Sequence, residues 1–434
     1  MPFTISRTLK ATNIGWIGDI PSAWTLKKIK FVLMEKVSIK ASDLQSGSIS
    51  FGEVVEKDDE SIPIETKNSY QEVNAGEFLI NPINLNYDLK SLRTALSKID
   101  VCVSPAYIVA QLVDEGCDKS FLKYLMYQFD VSHMKTLGAG VRQTITFKDI
   151  GDCFIPLPPI EEQKTIALYL DSQIEKIDNL IKLQEQLAIH SIEKRRAIIN
   201  QAVTKGLASS IEMKESGFEW LGAVPKHWQI KPLKYLGKII SGYAFKSEDF
   251  TDSGVRVLKI ANIQTDYLDW TDDSYLPESF YDRHRDFAVK NNDVVFALTR
   301  PIISSGLKAA IATIDDEKVL LNQRNAIFRP SEELDNNYLY YFLFSESFKC
   351  DFENKIDFTG QQPNISAVDI GNIKILLPPI FEQKEIALHL KDQLIKVDEL
   401  VKKSRHSVEL LKEHRASLIS ALVTGKIDVK NLVN

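Results

Sequence analysis

The sequence is poor in the residue types that build metal centres and disulfide frameworks, and it lacks long apolar runs. Its 434 residues include four cysteines and seven histidines, and the cysteines show no paired spacing of the kind found in zinc sites or disulfide-rich domains. No uninterrupted apolar run approaches the roughly 20 residues of a transmembrane helix, and the first residues contain no signal-peptide core. We therefore expect a cytoplasmic protein with no metal site and no membrane contact.

Catalytic signatures are missing as well. The histidines are scattered singly, and no nucleophile, base and orienting carboxylate can be assembled from the sequence. Gly138-Ala139-Gly140 is followed neither by the lysine of a phosphate-binding loop nor by dinucleotide-binding spacing. These absences predict a chain that is not an enzyme and has no cofactor of its own.

The charge balance is slightly acidic, with a formal net charge of −6. Residues 25–157 contain 15 Lys and Arg against 18 Asp and Glu, and residues 229–377 contain 17 against 22. A free-standing nucleic-acid-binding domain is usually basic. If this chain binds DNA, its basic side chains must be gathered on one face, or a partner must supply part of the phosphate contact.

One long stretch occurs twice. It begins at Leu157-Pro158-Pro159-Ile160 and again at Leu377-Pro378-Pro379-Ile380, and each copy continues into Glu-Gln-Lys, at 162–164 and 382–384. The offset is 382 − 162 = 220, and it holds without a gap over more than 40 residues. One inserted residue would rotate every following side chain of a helix by about 100°. An ungapped repeat therefore indicates that helix length and side-chain phase both matter.

Each copy has the pattern of a long helix with a coiled-coil seam. Two prolines supply the fixed φ of a helix start, and the seam positions then alternate by four and three residues. In the second copy the seam is Leu390, Leu394, Val397, Val401, Ser404, Val408, Leu411, Arg415, Leu418 and Leu422. In the first copy it is Leu170, Ile174, Ile177, Ile181, Gln184, Ala188, Ser191, Arg195, Ile198 and Ala202.

A rod of roughly 60 Å must pack against a partner. A lone seam would indicate a dimerisation coiled coil, but here both members of a pair lie in one chain. We predict that the two helices pack antiparallel about a pseudo-twofold axis, with Ile166 near Leu422 and Ile386 near Ala202. Arg195 and Arg415 lie on the seam, so we expect helix packing or partner docking rather than DNA contact from them.

A globular part of α+β class precedes each rod. Trp16 and Trp24 in the first part are answered by Trp220 and Trp228 in the second, at an offset of 228 − 24 = 204. The second part is thus 220 − 204 = 16 residues longer. The pattern predicts four segments, at 1–157, 158–208, 209–377 and 378–434, with a surface linker over 209–219.

These features together resemble the specificity subunit of type I restriction-modification systems. The resemblance rests on the duplicated Leu-Pro-Pro-Ile and Glu-Gln-Lys helix starts, the Val-Thr ends at 203–204 and 423–424, and the Pro and Trp pairs at Pro21, Trp24, Pro225 and Trp228. It covers essentially the full length. The resemblance implies that residues 1–157 and 209–377 are target recognition domains, joined by two antiparallel spacer helices at 158–208 and 378–434.

The resemblance also implies a function. The chain would read a bipartite, asymmetric site on double-stranded DNA as the non-catalytic subunit of an adenine-methyltransferase and ATP-dependent endonuclease complex that defends against foreign DNA. Two methyltransferase subunits, which use S-adenosylmethionine, and restriction subunits, which use ATP and Mg²⁺, would assemble on it. Rigid rods fit this role, because reading two half-sites requires two readers at a fixed separation along the duplex.

Polar loop residues are the candidates for DNA contact, because Arg, Lys, Asn and Gln reach base edges while Ser, Lys and backbone amides reach phosphates. In the first domain the candidates are Tyr87, Ser91, Arg93, Lys135, Arg142 and Gln143. In the second they are Tyr243, Lys246, Arg300, Ser304, Ser305, Lys308, Arg324, Gln361, Gln362 and Asn364. Each of these alone could equally be a solvated loop residue.

Two alternatives stay open from the residues. The outer faces of the rods, which carry Lys176, Lys182, Lys396, Lys402 and Lys403, could meet the methyltransferase subunits or could simply be solvated. The whole chain could also be a coiled-coil adaptor whose two globular parts bind proteins, a reading that the acidic balance favours.

Overall fold

The chain folds into two compact units. The computed structural model describes residues 7–60, 62–83, 92–138, 144–208, 210–314 and 317–432. Unit 1 contains residues 1–184 and 406–434, and unit 2 contains residues 185–405. Each unit is thus one globular part together with one half of each long helix. Within the described residues, no helix combines the length and the apolar character needed to cross a membrane.

Unit 1 is built around a four-stranded antiparallel sheet with the spatial order Leu33–Glu35, Ile108–Leu112, Phe78–Ile80 and Thr94–Leu96. The helix Lys119–Ser132 packs on one face, and the shorter helices are Ile64–Lys67 and Phe147–Gly151. The remaining described strands are Leu9–Lys10, Ile20–Pro21, Thr25–Lys28, Gly47–Ser50, Glu53–Glu56, Gln71–Val73, Val101–Val103 and Phe154–Leu157. Turns of 3-10 helix occur at Ile29–Phe31, Met134–Thr136 and Val429–Asn431.

Unit 2 repeats this plan. Its four-stranded antiparallel sheet has the spatial order Gly237–Ser241, Asn325–Pro330, Val294–Ala297 and Ala309–Ile311. The other described strands are Met213–Glu215, Ala223–Pro225, Gln229–Pro232, Val255–Leu258, Tyr275–Leu276, Ile302–Ile303, Gly306–Leu307, Val319–Leu321 and Lys374–Leu377. Helices run over Ser279–Arg283, Asn336–Leu343, Glu346–Glu353 and Ala367–Gly371, with 3-10 turns at Leu233–Tyr235, Ser247–Asp249 and Arg285–Phe287. The predicted α+β class is confirmed.

The two repeated stretches form continuous helices, Ile160–Lys205 with 46 residues and Ile380–Val423 with 44 residues. Their predicted seam residues are buried or half-buried throughout. In unit 1, Ile166 and Leu422 lie in one hydrophobic core, and in unit 2 Ile386 shares a core with Ala202. The predicted antiparallel pairing is therefore confirmed within each unit.

Ion pairs across the helices repeat in the same way. Arg415 Nε lies 3.2 Å from Asp178 Oδ1 in unit 1, and Arg195 Nε lies 3.0 Å from Asp398 Oδ1 in unit 2. Both arginines thus take part in helix packing, as the seam position predicts.

A buried glutamine explains why the Glu-Gln-Lys triplet occurs twice. Gln163 accepts a hydrogen bond from the backbone N–H of Asp118 at 2.8 Å and donates to the carbonyls of Gly116 and Pro158. Gln383 likewise accepts from the Asp335 N–H at 2.8 Å and donates to the carbonyls of Glu333 and Pro378. Both side chains are fully buried. Each amide therefore joins the start of a long helix to the start of the helix on the sheet, a contact that we call the clasp.

The repeated tryptophans complete each clasp. Trp24 donates its indole N–H to Glu162 at 3.2 Å, and Trp228 donates to Glu382 at 3.1 Å. The end of the opposite long helix packs on the same rings. Gly425 and Gly206 have φ of 74° and 75°, and a Cβ atom there would lie 3.1 Å from the Trp24 ring and 3.3 Å from the Trp228 ring. Glycine is needed for both the left-handed backbone and the close approach.

The predicted linker over 209–219 is wrong in part. Met213–Glu215 forms an antiparallel pair with Ala223–Pro225, as Leu9–Lys10 does with Ile20–Pro21 in unit 1. The offset of this pair is again 213 − 9 = 204. The serines and charged residues of this segment indicated a linker. They are compatible with a strand here because a two-stranded edge pair needs little apolar surface.

Candidate nucleic-acid interface

The candidate residues of unit 2 meet at one end of its four-stranded sheet. The strands pair Ser241 with Ala326, Ala297 with Asn325, and Phe296 with Ala309, so their connecting loops leave the sheet at the same end. We call the loops 242–246, 298–308 and 322–324, together with the adjoining loop 357–364, the rim of unit 2. All ten candidates of the second domain lie on it, namely Tyr243, Lys246, Arg300, Ser304, Ser305, Lys308, Arg324, Gln361, Gln362 and Asn364.

Backbone hydrogen bonds hold these loops to one another. The Leu298 N–H donates to the Arg324 carbonyl, and the Arg300 N–H donates to the Pro363 carbonyl, both at 2.8 Å. Thr299 and Asn364 form an antiparallel bridge. Residues far apart in sequence are therefore parts of one surface whose backbone is largely fixed before any ligand binds.

Two arginines on the rim are available for a ligand. Arg300 and Arg324 are exposed, and within the described residues neither guanidinium has a hydrogen-bond or ion-pair partner. Arg300 also has a φ of 46°, a left-handed conformation that is uncommon for a long side chain. Backbone strain of this kind is concentrated at functional sites. A guanidinium can bind guanine or phosphate through two parallel hydrogen bonds.

The serine candidates occupy a tight turn. Ser304 and Ser305 are the exposed tip between strands Ile302–Ile303 and Gly306–Leu307. The Ser305 hydroxyl lies 2.9 Å from that of Thr265, which joins the tip to a second turn. Lys308 is directed inward, because its Nζ donates to the Ile260 carbonyl at 2.7 Å and partial burial lowers the pKa of its ammonium group. Its position favours a role in holding the turn over direct contact with DNA.

The loop 357–364 is closed by its own hydrogen bonds. Asp357 and Asn364 exchange backbone hydrogen bonds of 2.7 and 3.0 Å. The N–H and hydroxyl of Thr359 donate to the Asp357 carboxylate, and these bonds lower the pKa of that carboxyl group. Gln361 and Asn364 are exposed, and the Asn364 side-chain amide donates to the Gln362 carbonyl at 2.8 Å within the loop. Such side chains can pair with adenine.

An aromatic cluster borders the rim. The Tyr243 ring centre lies 4.4 Å from that of His284, and the rings of Phe245, Phe280 and Phe287 surround the same imidazole at 5.5, 5.7 and 6.3 Å. Tyr243 is the most exposed of the three residues Tyr243, Phe245 and His284. The cluster fixes the Tyr243 ring at the rim, while the Lys246 ammonium pairs with Glu248 at 3.5 Å.

The same end of the sheet in unit 1 carries the first-domain candidates that the structure describes. Ile80 pairs with Thr94 and with Ile108, so the chain leaves the sheet after Ile80 and returns to it at Thr94 at this same end. The Ile145 N–H donates to the Pro82 carbonyl, as the N–H of Ile365 donates to Leu298 in unit 2. This end, with Leu92, Arg93 and the hairpin tip at 51–52 beside it, is the rim of unit 1. The candidates Tyr87, Ser91, Arg142 and Gln143 lie outside the described residues.

A buried carboxylate binds the backbone where the chain returns to the sheet, at Arg93 and Thr94. Asp130 Oδ2 accepts hydrogen bonds from the backbone N–H groups of Arg93 and Thr94. Burial raises the pKa of the Asp130 carboxyl to about 6, against the opposing effect of these hydrogen bonds and of Lys135 and Arg93. Lys135 is itself buried. Its place favours a structural role near Asp130 over contact with DNA.

Several residues at or beside the rims were not among the candidates. Phe358 is an exposed aromatic side chain on the rim of unit 2, and Phe51 is exposed on the hairpin of unit 1. Thr265 binds the serine tip from the neighbouring turn, where Tyr267 is exposed. Phe358 stands only three residues before Gln361, so an aromatic residue within a polar turn was the signal available in the sequence. Phe51 and Tyr267 gave no such signal, because only folding brings their turns to the rim.

Comparison with protein families gives a family model that matches the chain twice and covers most of it. A family described as the type I restriction modification DNA specificity domain matches residues 22–189 and 225–410. Both globular parts and the adjoining helices are therefore covered. The two matches correspond to the two repeats found in the sequence.

Individual relatives agree. The chain is 34% identical over 316 residues to the type I restriction enzyme MjaVIII specificity subunit of Methanocaldococcus jannaschii, covering 71% of each chain. It is 31% identical over 210 residues to the EcoAI specificity subunit of Escherichia coli, covering 47% of this chain and 34% of that one.

Solved structures share the fold. A chain from a type I R-M system superposes with a TM-score of 0.70 at 16% identity, covering 93% of this chain and 98% of that one. The HsdS subunit from Thermoanaerobacter tengcongensis gives a TM-score of 0.51 at 16% identity, covering 94% and 98%. At these identities the likeness concerns the fold alone.

Proposed function

The chain belongs to the family of type I restriction-modification DNA specificity subunits, and from that premise we propose that it reads a split, asymmetric DNA sequence, one half with each rim. The observation that carries this proposal is the convergence of all ten second-domain candidates at one end of one sheet. Polar loop residues that were merely solvated would have no reason to lie together at one end of one sheet.

The charge distribution supports base reading with help from a partner. The globular parts are acidic overall, yet Arg300 and Arg324 lie exposed at the rim without a partner among the described residues. Phosphate contacts supply most of the affinity of DNA-binding proteins, while contacts to base edges supply sequence choice. We assign sequence choice to the rims, and we expect methyltransferase subunits to contribute much of the phosphate contact.

The two rims support an asymmetric site. Unit 2 presents Arg300, Arg324, Gln361 and Asn364 at its rim. At the repeat offset of 220, Gln361 and Asn364 correspond to Val141 and Thr144 of unit 1, which offer different chemistry. Two globular parts that share a fold but differ in their rim residues would recognise two different half-sites. The gap between the half-sites would be fixed by the long helices, because a helix of 46 residues is a rod of about 70 Å.

Repeated exposed leucines support docking of two identical partners. Leu168 and Leu180 of the first long helix are exposed, as are Leu388 and Leu400 at the same repeat positions of the second. The predicted lysines at 176, 182, 396, 402 and 403 are exposed on the same helices. We propose that each set binds one methyltransferase subunit and that restriction subunits join this core in the cytoplasm. S-adenosylmethionine, ATP and Mg²⁺ would bind to those partners, and this chain would contribute recognition without catalysis.

Methylation mapping tests the proposal. The chain is purified with its methyltransferase subunit, genomic DNA that lacks adenine methylation is treated with the complex, and N6-methyladenine is located by sequencing. We expect methylation in one sequence made of two unlike specified halves around an unspecified gap. The matched control omits this chain. A complex that neither methylates a split sequence nor retains a duplex containing one would instead be the adaptor considered above.

A further inference from the structure

Each rim presents one phenylalanine to solvent on a turn whose backbone is fixed. Phe358 of unit 2 is 69% exposed, and Phe51 of unit 1 is 94% exposed. Single exposed apolar residues are common on protein surfaces. These two differ because each lies on a turn that the structure holds in place, close to the residue before a rim arginine, namely Thr299 before Arg300 and Leu92 before Arg93.

Phe358 lies within the closed loop of unit 2. The paired residues Asp357 and Asn364 close the loop, and Asn364 in turn bridges Thr299, the neighbour of Arg300. The Thr359 N–H and hydroxyl bind Asp357 at 2.8 and 2.6 Å. The backbone at Phe358 is therefore fixed within a loop of polar residues, while its phenyl ring is left exposed.

Phe51 occupies an unfavourable place in a two-residue hairpin turn. Ser50 pairs with Glu53, so Phe51 and Gly52 form the turn, with φ of 49° and 82°. Turns with two positive φ angles prefer Asn-Gly, and a bulky residue in the first place is strained. Gly52 abuts the side chain of Leu92, the residue before Arg93, so the tip lies beside the rim of unit 1.

We propose that Phe358 and Phe51 are aromatic wedges that stack on or between bases, one in each half-site, and so distort the duplex there. This inference rests on the proposed function. Proteins that kink DNA insert apolar side chains between base steps, and a base stacked on an aromatic ring contributes enough binding to change affinity by about tenfold or more. A fixed turn suits this role, because its backbone is already ordered and only the rotational freedom of the phenyl side chain is lost on binding.

Two other exposed aromatic residues provide matched controls. Tyr235 is 69% exposed and Phe31 is 59% exposed, at the same repeat position, 235 − 31 = 204. Each lies in a 3-10 turn at the end of the sheet opposite the rim, with the preceding lysine 5.3 or 5.7 Å from its ring centre. Both are exposed, as the two wedges are, but they lie at the other end of the sheet.

The test uses the complete complex of this chain with its methyltransferase subunits on duplexes that carry the mapped sequence. 2-Aminopurine replaces one base at a time, and its fluorescence rises where stacking is lost. We expect brightening at the target adenine, which methyltransferases extrude, and at one further step in each half. Phe358→Ala removes the further signal in the second half only and weakens affinity about tenfold, while Phe358→Trp preserves the signal. Tyr235→Ala and Phe31→Ala leave every signal in place.

Phe51 allows a second variant, which is expected to preserve the stability of the chain but to remove the 2-aminopurine signal in the first half-site. Phe51→Asn suits the turn, so the melting temperature of the chain is expected to hold or rise, while the further signal in the first half disappears. An unchanged brightening pattern in Phe358→Ala and Phe51→Asn overturns the wedge. So does a wild-type complex that brightens only the target adenine. A wild-type complex that retains no split duplex is a separate result, which refutes the proposed function and with it this inference.

Discussion

In each unit a fully buried glutamine joins the long helix to the sheet helix through three hydrogen bonds, whereas the loops at the rim differ in length, sequence and chemistry. The difference is localised. Phe78 and Ile80 face the helix core of unit 1 as Val294 and Phe296 do in unit 2, at an offset of 294 − 78 = 216. Of the 16 extra residues in unit 2, 216 − 204 = 12 thus lie between the second tryptophan and the central strand.

That interval contains the Phe51 hairpin in unit 1 and the aromatic cluster around His284 in unit 2. The clasps and the rims are therefore under different physical constraints. The clasp must satisfy buried polar groups, so it tolerates little change. The rim groups are solvated in the free chain, so their identity is set by what they bind.

The largest expected effect comes from breaking the clasp. Gln163→Leu and Gln383→Leu remove three hydrogen bonds in their respective units, of which the bond to the Pro158 or Pro378 carbonyl is buried and the other two are partly buried. A buried unpaired group costs roughly 1–3 kcal/mol and a partly buried one less, because water can reach it, so each variant loses on the order of 4 kcal/mol of unfolding free energy. Denaturant unfolding of the chain measures this.

Lys164→Ala and Lys384→Ala are the controls, because these exposed neighbours belong to the same triplets. They should change stability by less than about 0.5 kcal/mol. If Gln163→Leu and Gln383→Leu differ strongly from each other, the two clasps are not equivalent and the comparison between the units fails.

The free energy of unfolding should depend on pH through a carboxyl group that is buried in unit 1. Asp130 has a native pKa of about 6 against its ordinary 3.8, so between these values the native state holds a proton that the unfolded chain has released. Unfolding free energy therefore falls as pH rises from about 4 to about 6, by on the order of 3 kcal/mol in total. Asp130→Asn removes this part of the fall, as urea unfolding at several pH values would show.

Asp357→Asn in unit 2 is the matched control for Asp130→Asn in unit 1. The pKa of Asp357 is lowered by hydrogen bonds from Thr359, so its contribution is lost only as pH falls below the ordinary aspartate range. The wild-type slope between pH 4 and 6 should survive in this variant. An Asp130→Asn protein that keeps the full slope would show that another group titrates there.

Replacement of one rim arginine should affect one half-site. Arg300→Ala removes an exposed guanidinium in unit 2, and loss of a guanidinium–guanine contact costs roughly 1–3 kcal/mol of discrimination. We expect relaxed choice at one position of the second half and unchanged choice in the first. Methylation rates on duplexes substituted in each half measure this, with Lys234→Ala at the opposite end of the sheet as the control. Equal loss in both halves would mean that Arg300 does not read bases.

The smallest effect should come from the helix ion pairs. Arg195–Asp398 and Arg415–Asp178 are partly exposed, and such pairs contribute about 0.2–1 kcal/mol. Single replacements by leucine should lower stability by that amount in either unit, and the exchange Arg195→Asp with Asp398→Arg should recover most of it. Thermal unfolding at low salt checks both. Failure of the exchange to recover stability would indicate that Arg195 acts through packing.

Much of the frame could be predicted because it is periodic. The alternation of four and three fixed the seam, and Leu170, Ala202, Leu390 and Leu422 are buried as expected. The family resemblance, which rests on the repeated triplets, is confirmed by the match over 22–189 and 225–410. The role of Gln163 could not be predicted, because its partner amide at Asp118 lies 45 residues earlier in the chain.

The rim was predicted as a set of loops but not as a surface. Glycine and polar residues marked 299–308 and 361–364, whereas the hydrogen bond between Arg300 and Pro363 joins loops about 60 residues apart. Lys308 satisfied the same composition rule, yet its ammonium is directed to the Ile260 carbonyl. Composition indicates which side chains can bind DNA, and it contains no information on which way they point.

The pairing of two helices of matched length and phase, with two unlike α+β parts next to them, could be inferred from the chain, because helical periodicity and an ungapped repeat are local properties. Folding was needed to bring particular loops into one rim, to bury Asp130 where the chain returns to the sheet at Thr94, and to leave Phe358 and Phe51 exposed to solvent. Those outcomes depend on strand order and on contacts between distant residues, and no local pattern encodes them.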